Sequence, residues 1–219
     1  MVKGIVFDLF GTVVSNQMLF RPVCEKMASD FSLSLRTMEN DFVRLYRKHF
    51  HDYHKSEFRP EKFYYYLLIS ELLEMHGLKA DVEAYCNYMY ASFGRLPAYP
   101  DSRILKKLCK KYTIAIITNA DDIFVRKVLE NNRIPYHFLM TSEMAKSYKP
   151  SIEIFEKTLQ VANLDRHEVV FVGDSIRVDM MGATGAGIKG ILIDRTGSYL
   201  DYAPRISNLE ELIGLIESL

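Results

Sequence analysis

The chain has 219 residues, 48% of them hydrophobic, and its 28 basic side chains balance 28 acidic ones. That length allows one domain or two small ones around a substantial core, and a net charge of zero excludes a global field that would draw in nucleic acid or an anionic membrane. Cys24, Cys86 and Cys109 are odd in number, far apart and without Cys-x-x-Cys spacing, so they read as ordinary thiols of a reducing compartment.

The first element is Ile5-Val6-Phe7-Asp8-Leu9-Phe10-Gly11-Thr12, an apolar, β-prone run that ends in an aspartate, a glycine and a hydroxyl. A strand that stops there presents Asp8 at the mouth of an open parallel sheet, where ligands bind. The competing reading is an aspartate that only supports the following turn. The strand begins almost at once, leaving no room for a signal peptide, and no apolar run could span a bilayer, so the expected location is cytoplasmic.

Residues 16–96 show no strand pattern. Apolar residues recur there at helical spacing in four stretches, near 17–30, 35–52, 60–76 and 80–93. Pro60 suits a first helical turn and Gly77 a stop. From Pro97-Ala98-Tyr99-Pro100 onward, helices predicted near 101–111, 122–132, 151–162, 177–186 and 208–218 alternate with strands near 113–117, 138–141, 169–173 and 190–194. The fold class is therefore α/β: a Rossmann-like, doubly wound parallel sheet from residues 1–15 and 97–219, with a helical block, 16–96, inserted after its first strand.

Three later segments repeat the motif of an apolar run ending in polar groups. Strand 113–117 leads to Thr118-Asn119, Lys149-Pro150 opens a helical stretch, and 169–173 leads to Asp174-Ser175 with Asp179 beyond. A lysine at a helix start opposes the helix dipole and needs another reason to be there. Asp174 would converge on Asp8 at the sheet edge, and two carboxylates there repel unless a proton or cation sits between them. An all-oxygen site of this kind suits Mg²⁺. Asp179 fits a helix-capping role as well. His49, His51 and His54 lack the i, i+4 spacing of two helical ligands and read as a solvated or partly buried face. Phe63-Tyr64-Tyr65-Tyr66 reads as core and interface, with a tyrosine able to reach a substrate.

In this order, Asp8, Thr118, Lys149 and Asp174 resemble the four motifs of the haloacid dehalogenase-like hydrolase superfamily. The resemblance covers about residues 1–14 and 98–219. It implies that Asp8 is a nucleophile forming a covalent aspartyl intermediate that water then hydrolyses. It implies that Thr118 and the Asn119 amide hold a phosphoryl oxygen, and that Lys149 neutralises charge between nucleophile and substrate. Thr12, whose hydroxyl is expected to support the turn, falls among the same phosphate-side groups. Mg²⁺ would be held by Asp8, the Phe10 backbone carbonyl and Asp174, with Asp179 behind them. The block 16–96 matches the cap domain of the superfamily in position and size.

Phe10 departs from the phosphatase pattern, which has an aspartate at this position as general acid and base. A phenyl ring cannot protonate a leaving alkoxide, which removes a factor of roughly 10²–10⁴. An aromatic there resembles the 2-haloacid dehalogenases, whose aspartate displaces halide without needing an acid. That reading takes Arg44 as the halide-side arginine, with Arg21 and Arg47 as rivals. Against it stands Asp174, which would repel a substrate carboxylate. The leading expectation is a Mg²⁺-dependent phosphatase for a small phosphorylated metabolite, the alternative a metal-independent 2-haloacid dehalogenase. A non-catalytic ligand-binding module is the third reading. The partner is a small molecule rather than nucleic acid or membrane, and the oligomeric state is left open.

Overall fold

In the computed structural model, which describes residues 1–218, six parallel strands form one sheet in the order β3-β2-β1-β4-β5-β6. They are β1 (Gly4–Phe7), β2 (Thr113–Thr118), β3 (Phe138–Thr141), β4 (Val169–Gly173), β5 (Lys189–Ile193) and β6 (Arg205–Ile206). Parallel strands covered on both faces should be apolar throughout, and every residue of β1 and β4 is buried. Successive side chains point to opposite faces. Ile5, Phe7, Ile116 and Val172 therefore pack on one side, and Val6, Ile117 and Phe171 on the other.

Register places the site. Phe7 lies opposite Ile116 on one flank and Val172 on the other. The residues just beyond, Asp8, Thr118 and Asp174, consequently emerge at one edge of the sheet. The chain runs outward from β1 through β2 to β3, then returns to β4, so the order reverses between β1 and β4. Such a switch point opens a crevice at the strand ends.

Between β1 and β2 lie α1 (Arg21–Asp30), α2 (Leu35–Phe50), α3 (Glu61–Met75) and α4 (Val82–Phe93), and no strand occurs among these described residues. Gly77 takes a positive φ of 65° and its amide, with that of Leu78, closes the end of α3 on Glu74 O and Leu73 O. Asp81 caps α4 by accepting from the amides of Glu83 and Ala84. The two crossings between this block and the sheet run together: Ser15 N donates to Pro97 O at 2.9 Å and Tyr99 N to Val13 O at 3.0 Å. Backbone bonds of this kind contribute about 0.5–1.5 kcal/mol each. Tyr90 and Phe93 of α4 meet Phe124 of α6 (Asp122–Asn131), with ring centroids 5.0 and 5.2 Å apart. Large apolar side chains contribute on the order of 1.5–3 kcal/mol each, so aromatic contact outweighs the paired crossings in holding the block to the sheet.

The doubly wound parallel sheet is as expected, but three predicted helices differ. The stretch 101–111 is a 3₁₀ turn, Pro100–Ile104, and a four-residue helix, α5 (Leu105–Leu108). Its start is fixed by Asp101, whose carboxylate is taken by Arg195 and the Leu209 amide. The stretch 177–186 divides into a π turn, Ile176–Met180, and α9 (Met181–Gly185), and 208–218 into a 3₁₀ turn and α10 (Leu212–Glu217). The remaining helices are α7 (Ser142–Ala145) and α8 (Ile152–Ala162). β6 has two residues, too few to show alternation. No helix among the described residues is long and apolar enough to cross a membrane.

Candidate active site

Asp8, 6% exposed, leaves β1 into a turn in which the amides of Val13 and Val14 both donate to Leu9 O and not to Phe10. Gly11 sits in that turn at φ +99°, and a Cβ there would lie 2.1 Å from Asp174 Oδ2. Only glycine meets both demands, the left-handed backbone and the close approach of the second carboxylate.

Lys149 enters from the loop before α8 and is almost wholly buried. Its ammonium donates to Asp8 Oδ1 at 2.7 Å and to Asp179 Oδ1 at 2.6 Å. Its backbone is clamped by the Asn119 side chain, whose Oδ1 accepts from Lys149 N at 2.7 Å while Nδ2 donates to Lys149 O at 2.9 Å. Asn119 Nδ2 also donates to the Tyr53 hydroxyl at 3.0 Å, tying the sheet edge to the helical block. The π turn after β4 brings Asp179 back so that its Oδ2 accepts from Ser175 N at 3.0 Å. Asp179 thus does two things at once: Oδ2 closes the start of its own turn at Ser175, and Oδ1 is a buried partner of Lys149.

One carboxylate oxygen each of Asp8, Asp174 and Asp179 can be chosen so that all lie within 4.8 Å of one another. Burial, and then repulsion from Asp8 and Asp179, pushes the Asp174 carboxyl up to about 8. Burial also raises Asp8, to about 6, with Lys149 opposing it and Asp179 adding to it. Burial alone would lower Lys149; Asp179 and Asp8 outweigh it and hold the ammonium charged. Three carboxylates face one ammonium, leaving two negative charges uncompensated when all are ionised. Asp8 Oδ2 is buried without a hydrogen-bond partner. An oxygen-only set with that charge and an unused buried oxygen fits a hard divalent cation.

The cluster opens into a cavity of about 210 Å³ between the sheet edge and the helices. Asp8, Phe10, Thr118, Asn119, Lys149, Asp174 and Asp179 all line it. Thr12 does not. Its hydroxyl is buried beside the Asp8 carboxyl, whose ionised form it favours, and its carbonyl accepts from Arg195 Nη2 at 2.6 Å. Arg44 also lies outside the cavity. Its exposed guanidinium pairs with Asp41 and touches Met75 Sδ, because it sits on the outward face of α2. Arg21 pairs with Glu25 and Glu39, and Arg47 is exposed, so no arginine of α1 or α2 lines the cavity. His49 is spent on Glu71.

Two residues escaped the sequence pattern. Asp121, beyond β2, accepts from the amides of Glu61 and Lys62 at 2.9 Å each and from the Tyr90 hydroxyl at 3.0 Å. It caps α3 from sixty residues away, a partnership with no local signal. Glu61 reads as an ordinary acidic residue of a first helical turn, yet it is 5% exposed and lines the cavity.

The sequence model of the haloacid dehalogenase-like hydrolases matches residues 5–193. Glyceraldehyde 3-phosphate phosphatase of Methanothermobacter thermautotrophicus is 26% identical over 211 residues, covering 89% of this chain and 86% of the relative. Among solved structures, the HAD-hydrolase YfnB of Bacillus subtilis, bound to magnesium, aligns with a TM-score of 0.86 at 17% identity over 99% of both chains. The L-2-haloacid dehalogenase of Xanthobacter autotrophicus aligns with a TM-score of 0.80 at 17% identity over the whole of both chains. Likeness at these identities establishes the fold, while the match over most of the sequence establishes more: the chain belongs to the haloacid dehalogenase-like hydrolase family.

Proposed function

We propose that this hydrolase is a Mg²⁺-dependent phosphatase acting on a small phosphorylated metabolite, with residues 16–96 as its cap domain. The observation that carries the reading is charge: Asp8, Asp174 and Asp179 crowd together against the single ammonium of Lys149. A divalent cation and a phosphate suit that surplus, whereas an anionic 2-haloacid would meet it unshielded. The phosphatase name borne by the 26% identical relative points the same way.

Asp8 Oδ2 would attack phosphorus as the bond to the leaving oxygen breaks, giving an aspartyl phosphate that water hydrolyses. Lys149 holds Oδ1, fixing the carboxylate plane and lowering the charge that the incoming phosphate meets. Asn119 keeps Lys149 in place, and Thr118 offers its hydroxyl to a phosphoryl oxygen at the cavity wall. Asp8, Asp174 and the Phe10 carbonyl would hold Mg²⁺, with Asp179 behind them. When bound, the ion would screen nucleophile and phosphate from each other. Phe10 supplies no proton, so turnover favours substrates whose leaving group departs with little assistance. Three free cysteines accord with a cytoplasmic location.

Phe10 itself favours one second reading, halide displacement from a 2-haloacid. A panel of aryl, acyl and alkyl phosphates and 2-haloalkanoates, scored for phosphate and halide with and without Mg²⁺, separates the two. Mg²⁺-dependent phosphate release is expected. Halide release in excess chelator would transfer the assignment to the dehalogenases.

A further inference from the structure

The cavity has a second end. Glu61 opens α3 and presents its carboxyl to the cavity lined by Asp8 and Lys149, along with Tyr46, Tyr65, Phe93 and Phe124. The residue is 95% buried by its 5% exposure, and no described group hydrogen-bonds its carboxyl. Its only charged neighbour is another carboxylate, Asp121. The adjacent ammonium, Lys62, turns outward to Glu83 at 3.2 Å. The hydroxyls of Tyr46 and Tyr65 make no hydrogen bond to other described residues, and Tyr65 is 2% exposed. A buried carboxyl with no partner is costly to keep and stands out against the fully bonded Asp121 beside it.

We propose that Glu61, with the walls of Tyr46, Tyr65, Phe93 and Phe124, is the seat of a substrate ammonium group, so that the enzyme takes phosphate esters carrying an amine at the far end. The inference rests on the phosphatase reading for the phosphate end only. Lys149 and the metal-binding carboxylates receive the anionic end of such a zwitterion, and Glu61 its cationic end. The wall supplies aromatic faces, which attract cations, and the missing counter-charge is the one the ligand would bring. In the shortest such esters the ammonium also makes the departing alcohol more acidic, which suits a site with Phe10 in place of an acid. Burial, then Asp121, holds the Glu61 carboxyl well above the usual carboxylate range. The groups facing it are Asp121 and the phenols of Tyr46, Tyr53, Tyr65, Tyr90 and Tyr148. None is a cation. Binding an ammonium would therefore shift the Glu61 carboxyl toward its ionised form.

The test is calorimetry with ω-aminoalkyl phosphates of two to five carbons and their ω-hydroxyalkyl counterparts, on the full chain carrying Asp8→Asn so that nothing turns over. At least one amine should bind roughly 30-fold or more tighter than its hydroxyl twin, the range for a desolvated charge pair. It should also release more protons, read from the dependence of heat on buffer. Glu61→Gln should collapse both differences. Equal affinities and equal proton release for every pair would overturn the proposal, as would an equal loss for amine and hydroxyl in Glu61→Gln. The amine end is probed alone by butylammonium against butanol, titrated into the wild-type protein and followed by the tyrosine ring resonances. Glu61-dependent binding of butylammonium with no binding of any phosphate would sink the phosphatase reading and spare the seat. Phosphate binding with no preference for butylammonium would do the reverse.

Discussion

The two ends of the cavity are built by opposite means. At the sheet edge, charged groups are held by direct bonds: Lys149 to Asp8 and Asp179, and Asn119 to the Lys149 backbone. At the helical end, aromatic rings do most of the work, with Tyr46, Phe50 and Tyr65 in mutual contact and Glu61 left without a partner. The contrast teaches where chemistry and selection reside. A parallel sheet fixes strand ends to one another by register, so it can hold reacting groups in place. Helices packed by apolar contact can change their lining without disturbing that register.

The sharpest break of this contrast is at Asp8. Asp8→Asn should leave the fold intact and lower turnover roughly 10⁴-fold or more, because an amide is no nucleophile. A folded variant with normal turnover would show that the sheet edge is not the reacting end. Gly11→Ala comes next. Its Cβ would drive into Asp174 Oδ2, and a φ of +99° disfavours any side chain. Turnover should fall about 10²-fold, with weaker Mg²⁺ binding by titration; wild-type metal affinity in this variant would mean that Asp174 is not a ligand.

Asn119→Ala tests how far the clamp matters. Removing three bonds of about 0.5–1.5 kcal/mol each should destabilise the protein by about 1.5–4.5 kcal/mol and lower kcat roughly 10-fold. Denaturant melts and initial rates measure both, and an unchanged rate would make Lys149 self-supporting.

Protons sharpen the comparison further. Folding raises Asp8 and Asp174 from 3.8 to about 6 and about 8. The unfolded chain gives up these protons first, so without metal the folded state loses stability as pH rises from about 4 to 8. Mg²⁺ replaces the protons, and its effect on Tm should grow over the same range. An equal Mg²⁺ shift at about pH 5 and about pH 8 would contradict the carboxylate site. The same sign holds at the helical end without a metal to offset it. Glu61→Gln should raise Tm at neutral pH, with the gain vanishing below the ordinary carboxylate range. The smallest effect belongs to Arg44→Ala, within about 0.5 kcal/mol for an exposed pair.

Much of the sheet edge is legible in the sequence because each strand there ends in a polar group after an apolar run. Asp8, Thr118 and Asp174 follow directly, and Lys149 is singled out by its mismatch with a helix start. What could not be read are partnerships across distance. Nothing near Asn119 marks it as the clamp on Lys149, and nothing near Asp121 marks it as the cap of α3. Helical periodicity assigns Arg44 a face of α2 but not what that face meets, and the face is the outer one. The π turn that carries Asp179 to Lys149 has no periodic signature either.

Phosphoryl transfer to Asp8 is tested at its source by trapping the intermediate. The wild-type protein is mixed with an aryl phosphate and Mg²⁺, quenched in acid within one turnover, digested and weighed by mass spectrometry. A phosphate adduct is expected on the peptide containing Asp8, absent without Mg²⁺ and absent in Asp8→Asn. A carboxyalkyl ester at Asp8 after mixing with a 2-haloalkanoate, with no phosphate adduct from any phosphate ester, would contradict it.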